Sequence, residues 1–145
     1  MQPCVFCEIA QARIPAMRLH EDASVVAFLD RSPIRAGHAQ IIAREHIPTF
    51  EQLTSATAGR ILSVGQQLAR RMKAVYQVER VAFLFTGGDV AHVHAHVVPM
   101  HEKTDITSAR YLVSPREASW SEAHLRATTE ELERVKAALG FTADE

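Results

Sequence analysis

With 145 residues and 47% hydrophobic side chains, the chain is sized for one domain that buries roughly two thirds of its unfolded surface without a disulfide staple. Lys and Arg number 16 against 17 Asp and Glu, which excludes a basic field for nucleic acid and an acidic disordered tail, and leaves a small molecule or another protein as the expected partner. No run approaches roughly 18 apolar residues, and the opening MQPCVFCEIA has no basic stretch ahead of an apolar one, so no membrane span or secretion signal is read and a cytoplasmic setting is expected.

Cys4 and Cys7 are too close for a disulfide framework, and in a reducing compartment a C-x-x-C pair points to metal or redox chemistry. VVAFLD, residues 25–30, is an apolar run that ends in the turn formers Asp30, Ser32 and Pro33 and predicts a buried strand. AQIIA, 39–43, follows Gly37 with β-branched residues and predicts an antiparallel partner for it. From Thr54 and Ser55 onward, Ile61, Gly65, Leu68, Met72 and Val75 recur at spacings of three and four, the signature of one long amphipathic helix. Its last turns carry Arg70, Arg71 and Lys73, where positive charge suits the helix dipole. VAFLF, 81–85, and HVHAHVV, 92–98, predict two more strands joined by a tight TGGD turn at 86–89.

Beyond residue 101 no clean period is visible until Thr128. There Thr128 and Glu131 predict a capping box, Leu132, Val135 and Leu139 share one face, and Gly140 stands where a helix-ending glycine belongs. Strands, a helix, then strands again indicate an α+β fold. No repeat or domain linker interrupts it, so residues 1–145 are read as a single domain.

Three of the eight histidines, His92, His94 and His96, fall on alternate positions of one run. In a strand, alternate side chains share a face, so the three imidazoles are expected to stand in a row while Val93, Ala95 and Val97 turn to the core. A merely solvated face would use Thr, Lys and Glu, and crowded imidazoles compete for protons. Two chemistries fit. Histidines on one strand face can hold a catalytic zinc that activates water; alternatively one imidazole is a nucleophile and its neighbours orient it and hold phosphate. Spacing alone leaves both open.

The run HVHAHVV resembles the hallmark of the histidine triad (HIT) family of nucleotide hydrolases and transferases, His-φ-His-φ-His-φ-φ with φ apolar, and Pro99 follows as in many members. The N-terminal half is similar as well: Cys-x-Phe-Cys at the start, an Ile-Pro-Ala step, Glu-Asp before a strand ending in Phe-x-Asp, then Pro33, Gly37-His38 and His46-Ile. The likeness covers about residues 4–101, with 102–145 outside it as a C-terminal extension. It implies a HIT-like antiparallel sheet with one long helix, followed here by a short C-terminal helix.

The resemblance also implies roles. His94 matches the family nucleophile, which attacks the α-phosphorus of a nucleotide and forms a nucleotidyl-histidine that water hydrolyses. Its other ring nitrogen is expected to be held as N–H by a backbone carbonyl. His96 is expected to hold a phosphate oxygen and assist the leaving group, and His92 completes the catalytic run. His38 reaches the same pocket, Asp30 accepts from ribose hydroxyls, and Phe28, with Val5, Phe6 or Ile9, lines the base pocket or simply packs in the core. The substrate implied is a nucleoside 5′-phosphoramidate or a dinucleoside polyphosphate. A regulatory nucleotide-binding module with little turnover is the alternative, alongside a hydrolase that uses the three histidines as zinc ligands.

The chain departs from the family at two points. Gly88 stands where a Gln is usual, in a shortened loop, so phosphate contacts there would fall to backbone N–H groups of Gly87 and Gly88. Met100 replaces a common Arg or Gly. Some members bind a structural zinc through a Cys-x-x-Cys pair and two histidines; here those are Cys4, Cys7, His46 and His92, a closed Cys2His2 set. No organic cofactor is implied. The family is typically a homodimer built on its long helix, and Gly65 on the apolar face would permit close approach there. His20, His101 and His124 match no role and are expected to be exposed.

Overall fold

The computed structural model describes residues 3–87, 90–106 and 126–140. Gly88 and His124 therefore lie outside the described residues, as do most of the aperiodic stretch and half of the TGGD segment. The elements in chain order are α1 (Val5–Ala10), β1 (Arg18–Glu21), β2 (Val25–Leu29), β3 (Ala39–Ala43), a 3₁₀ turn (Phe50–Gln52), α2 (Ser55–Tyr76), β4 (Arg80–Phe85), β5 (His94–Met100) and α3 (Thr129–Leu139).

The strands form one antiparallel five-stranded sheet in the order β1-β2-β3-β5-β4. On one face Val25, Ala27, Leu29, Ala39, Ile41, Ala95 and Val97 pack against Ile61, Val64, Leu68 and Met72 of α2 and Leu139 of α3. On the other, Val26, Phe28 and Ile42 are covered by Phe6, Ile9 and Ala10 of α1. Coverage of both faces explains why β2 is apolar at every position instead of alternating. The four α2 side chains are fully buried, and each contributes about 1.5–3 kcal/mol of hydrophobic stabilisation.

The long helix follows its expected bounds, with Thr54 accepting from the Thr57 N–H as N-cap. The closing helix has both halves of its capping box, and Gly140 takes the left-handed conformation, φ 50°, at its end. Three elements are new, the 3₁₀ turn among them. α1 is six residues long, too short to show a period or to hold as an isolated helix, so it depends on packing Phe6, Ile9 and Ala10 onto the sheet. β1, RLHE, is an edge strand without an apolar run, recruited by its pairing with β2.

Three expectations are corrected. β5 begins at His94, so His92 lies ahead of the strand and the connection from β4 runs over residues 86–93. His20 is buried, with its Nε2 2.9 Å from Asp22 Oδ2, and Asp22 in turn takes the Nε–H of Arg60 on α2. The apolar face of α2 hides the third: a Cβ on Gly65 would lie 2.6 Å from the ring of Phe83. Gly65 thus makes room for β4 of the same chain, at roughly 1 kcal/mol of helix propensity.

Candidate active site

β5 lies between β3 and β4, so its polar face is central in the sheet. Ala95 and Val97 point to α2; strand alternation then sends His94 and His96 to the α1 side. Their rings stand 5.1 Å apart, and Phe6 of α1 packs against His94 at 4.9 Å. His92, off the strand, is fully buried and turns elsewhere.

Hydrogen bonds assign the tautomers. His94 Nδ1 lies 2.7 Å from the carbonyl of His92; a carbonyl only accepts, so Nδ1 carries the proton and Nε2 keeps its lone pair. The Ile34 N–H donates to His38 Nδ1 at 3.2 Å, so His38 holds its proton on Nε2 and donates it to His96 Nδ1 at 2.9 Å. His96 then carries its own proton on Nε2, which points toward the Thr86 hydroxyl at 3.5 Å. The result is one imidazole with an open lone pair beside one with an open N–H.

Burial favours the neutral forms of both relay histidines. It lowers His38 against the opposing pull of Asp30. It lowers His96 to about 4, with help from neighbouring His38 and His94 and against Asp30. His96 is therefore a neutral N–H donor near pH 7.

Asp30 is buried at the end of β2. Oδ1 accepts the Ser32 N–H at 2.8 Å, Oδ2 accepts the Gln40 side-chain amide at 2.6 Å, and His38 Nε2 is 3.7 Å from Oδ2. The turn that presents His38 is fixed from outside: the Arg35 carbonyl accepts the His38 N–H, and the Arg35 guanidinium is bidentate on buried Asp105. Burial alone would raise the Asp105 carboxyl, but Arg35 and the N–H groups of Glu102 and His101 outweigh it and hold it well below the usual range. Phe28 sits among Phe6, Ile9, Val26 and Ile42, on the face that carries His94. Val5 is at the surface. Gly87 adopts φ 64° at the edge of the site, so the backbone dihedral of an anion nest is present at that residue.

Gln40, Thr86 and the Arg35–Asp105 pair were not legible as site residues. For Gln40 a signal existed, since it is the one polar residue inside an apolar strand and sits in register with Phe28 on one side and His96 on the other.

A second cluster forms where α1 meets the loop before β5. The ligand atoms of Cys4, Cys7, His46 and His92 all lie within 4.8 Å of one another. His92 Nδ1 is 3.4 Å from Cys4 Sγ and 3.5 Å from Cys7 Sγ, and His46 Nδ1 is 3.3 Å from Cys7 Sγ. Ligands at tetrahedral zinc distances sit about 3.5 Å apart. His92 donates its Nε2–H to the Ala43 carbonyl at 2.8 Å, which leaves Nδ1 unprotonated toward the sulfurs, the second-shell arrangement of a ligating histidine. The residues fit a zinc ion. Asp30, His38 and His96 also bring ligand-type atoms within 4.8 Å, but there the His38–His96 contact is already bridged by a proton. The three run histidines do not converge on one point, because His92 faces the cysteines.

Comparison with known proteins gives a consistent set of likenesses. The HIT domain family model matches residues 11–103. Over 106 residues the chain is 35% identical to the bifunctional adenosine 5′-phosphosulfate phosphorylase/adenylylsulfatase HINT4 of Arabidopsis thaliana, covering 68% of this chain and 72% of that one. It is 33% identical over 101 residues to the adenosine 5′-monophosphoramidase hnt1 of Schizosaccharomyces pombe, covering 66% and 73%. The crystal structure of a Zn-bound histidine triad family protein from Mycobacterium smegmatis superposes with a TM-score of 0.69 at 25% identity, over 94% of this chain and 93% of that one.

Proposed function

The chain belongs to the histidine triad family, and from that premise we propose that it is a nucleotide hydrolase acting at the α-phosphorus of a nucleoside 5′-phosphoramidate or dinucleoside polyphosphate. The observation that carries this reading is the 2.7 Å contact of His94 Nδ1 with the His92 carbonyl, which reserves the Nε2 lone pair for attack. Relatives named as an adenosine 5′-monophosphoramidase and an adenylylsulfatase support attack at an adenylyl phosphorus.

In the first step His94 Nε2 forms a bond to the α-phosphorus as the bond to the leaving amine or phosphate breaks. The leaving group departs with a proton drawn from solvent, while neutral His96, kept in its Nε2–H tautomer by the His38 N–H on its Nδ1, donates a hydrogen bond to the departing atom and keeps its own proton. In the second step water attacks the phosphorus of the nucleotidyl-histidine, the P–N bond breaks with its electron pair returning to His94 Nε2, and the proton lost by water leaves to solvent as the nucleoside monophosphate is released. Asp30 accepts from the ribose, Phe28 and Phe6 flank the base, and backbone N–H groups at Gly87 contact phosphate. Cys4, Cys7, His46 and His92 would hold a structural zinc, a four-ligand set that would pin α1 to the loop leading into β5. The functional unit is a homodimer, and the catalytic fold is a single domain that includes α3.

Mixing the protein with adenosine or guanosine 5′-phosphoramidate and quenching rapidly tests the reading by mass. A covalent adduct one nucleotide heavier is expected, and it should vanish in His94→Ala. Nucleotide binding without turnover would leave a regulatory module; competent hydrolysis by His94→Ala would end the nucleophile assignment in favour of a metal-activated water.

A further inference from the structure

Gln40 lies in the middle of β3, flanked by Ala39 and Ile41, which pack toward α2. Its own side chain is therefore on the triad face, in register with Phe28 of β2 and His96 of β5. The Gln40 Nε2 group donates to Asp30 Oδ2 at 2.6 Å. Because a carboxylate in this contact accepts, the amide orientation is fixed, with the NH2 on Asp30 and the carbonyl turned away. That carbonyl, Oε1, is buried and accepts no hydrogen bond among the described residues. A buried acceptor left unmet is costly, and at a binding site the missing donor is expected on the ligand.

The chemistry of a nucleotide limits what that donor is. Phosphate oxygens only accept, so Oε1 cannot serve the phosphate. A ribose offers two adjacent O–H donors, and next to Oε1 stands Asp30, an acceptor with lone pairs beyond those used by Ser32 and Gln40. We propose that Gln40 is a sugar-specificity residue: Gln40 Oε1 accepts one ribose hydroxyl and the Asp30 carboxylate accepts the other, so the pair reads a cis-diol. This rests on the nucleotide-binding reading of the site. The direct Gln40–Asp30 bond holds the two acceptors at a fixed separation, and a site built to accept from a hydroxyl discriminates against a ligand that lacks it.

The test is equilibrium titration of the full chain with AMP, GMP and the 2′-deoxy and 3′-deoxy forms of each. Wild type should bind the ribonucleotide about tenfold or more tightly than each deoxy form, the scale of one lost hydrogen bond to a buried acceptor. Gln40→Met keeps the length of the side chain but has no carbonyl; it should abolish the preference for one hydroxyl and retain the preference for the other. A uniform loss across all ligands would mean that Gln40 only steadies Asp30, and a changed AMP-to-GMP ratio would mean a base contact; either overturns the assignment. Wild type that forms the His94 adduct yet binds ribo and deoxy forms equally overturns it without reference to any variant. Wild type that binds no mononucleotide overturns the nucleotide reading along with it.

Discussion

His38 Nε2 lies 2.9 Å from His96 Nδ1, and the shared proton belongs to His38 because the Ile34 N–H already occupies its other nitrogen. His38 thereby dictates that His96 presents its Nε2–H on the Thr86 side, where the proposed reaction has its leaving group. Replacing His38 with Phe, which keeps the ring but donates nothing, lets His96 adopt the other tautomer and present a lone pair where a proton is needed. Adduct formation should slow by about 10²-fold, the scale of one hydrogen-bond donor lost from developing charge, while nucleotide affinity changes little. An adduct rate equal to wild type in rapid quench would remove His38 from the relay.

The same burial makes stability depend on pH. The His96 pKa falls from the ordinary 6.5 to about 4 in the folded chain, so between those values the unfolded chain binds a proton that the folded chain does not. Stability is then complete above about pH 7 and declines as the pH drops through the window from 6.5 to 4. Metal-free His96→Gln should show a shallower fall of Tm over that window than metal-free wild type. Parallel profiles would refute it. Asp105, held far below the usual carboxylate range, acts at lower pH and does not blur the comparison.

Purified without chelator, the protein should carry about one zinc per chain, since binding energy at a closed Cys2His2 site is folding energy. Chelation, or Cys7→Ser, should lower Tm and loosen α1, seen as faster amide exchange at Phe6 and Ile9. Metal analysis that finds no zinc would sink the site, whatever the activity of the preparation.

Gly65 and Phe83 form a testable pair. Gly65→Ala forces a Cβ to 2.6 Å from the Phe83 ring and should destabilise the chain by about 1–3 kcal/mol, the usual cost of overpacking. Adding Phe83→Leu should recover much of that loss, giving a coupling that independent sites lack. Additive effects in urea unfolding would show that the constraint on Gly65 comes from elsewhere, such as a dimer mate.

How much was legible follows the range of the forces involved. Local signals carried α2, β2, β3, β4 and α3, because a 3.6-residue or continuous apolar pattern, a Thr cap or a terminal Gly acts within a turn or two of chain. The run HVHAHVV and the Cys4–Cys7 spacing marked where chemistry was to be expected. Alternation also placed His94 and His96 on one face, which is how β5 presents them.

Long-range contacts decided the rest. Whether His92 continues the row or leaves it depends on Ala43 and the two cysteines, which are 49, 88 and 85 residues away, and no strand period encodes that. Buried His20 meets Arg60 from α2, 40 residues on. Gln40 reads as one polar residue in an apolar strand until β2 and β5 arrive on either side of it and Asp30 takes its amide. The sequence by itself determined β2, β3, β4, most of β5, α2 and α3 and marked the histidine and cysteine runs, since these follow from local sterics and periodicity; tertiary structure alone decided α1, β1, the tautomers, the turn of His92 toward the cysteines and the Gln40–Asp30 pair, since a proton's place on an imidazole is set by whichever distant acceptor the fold brings within about 3 Å.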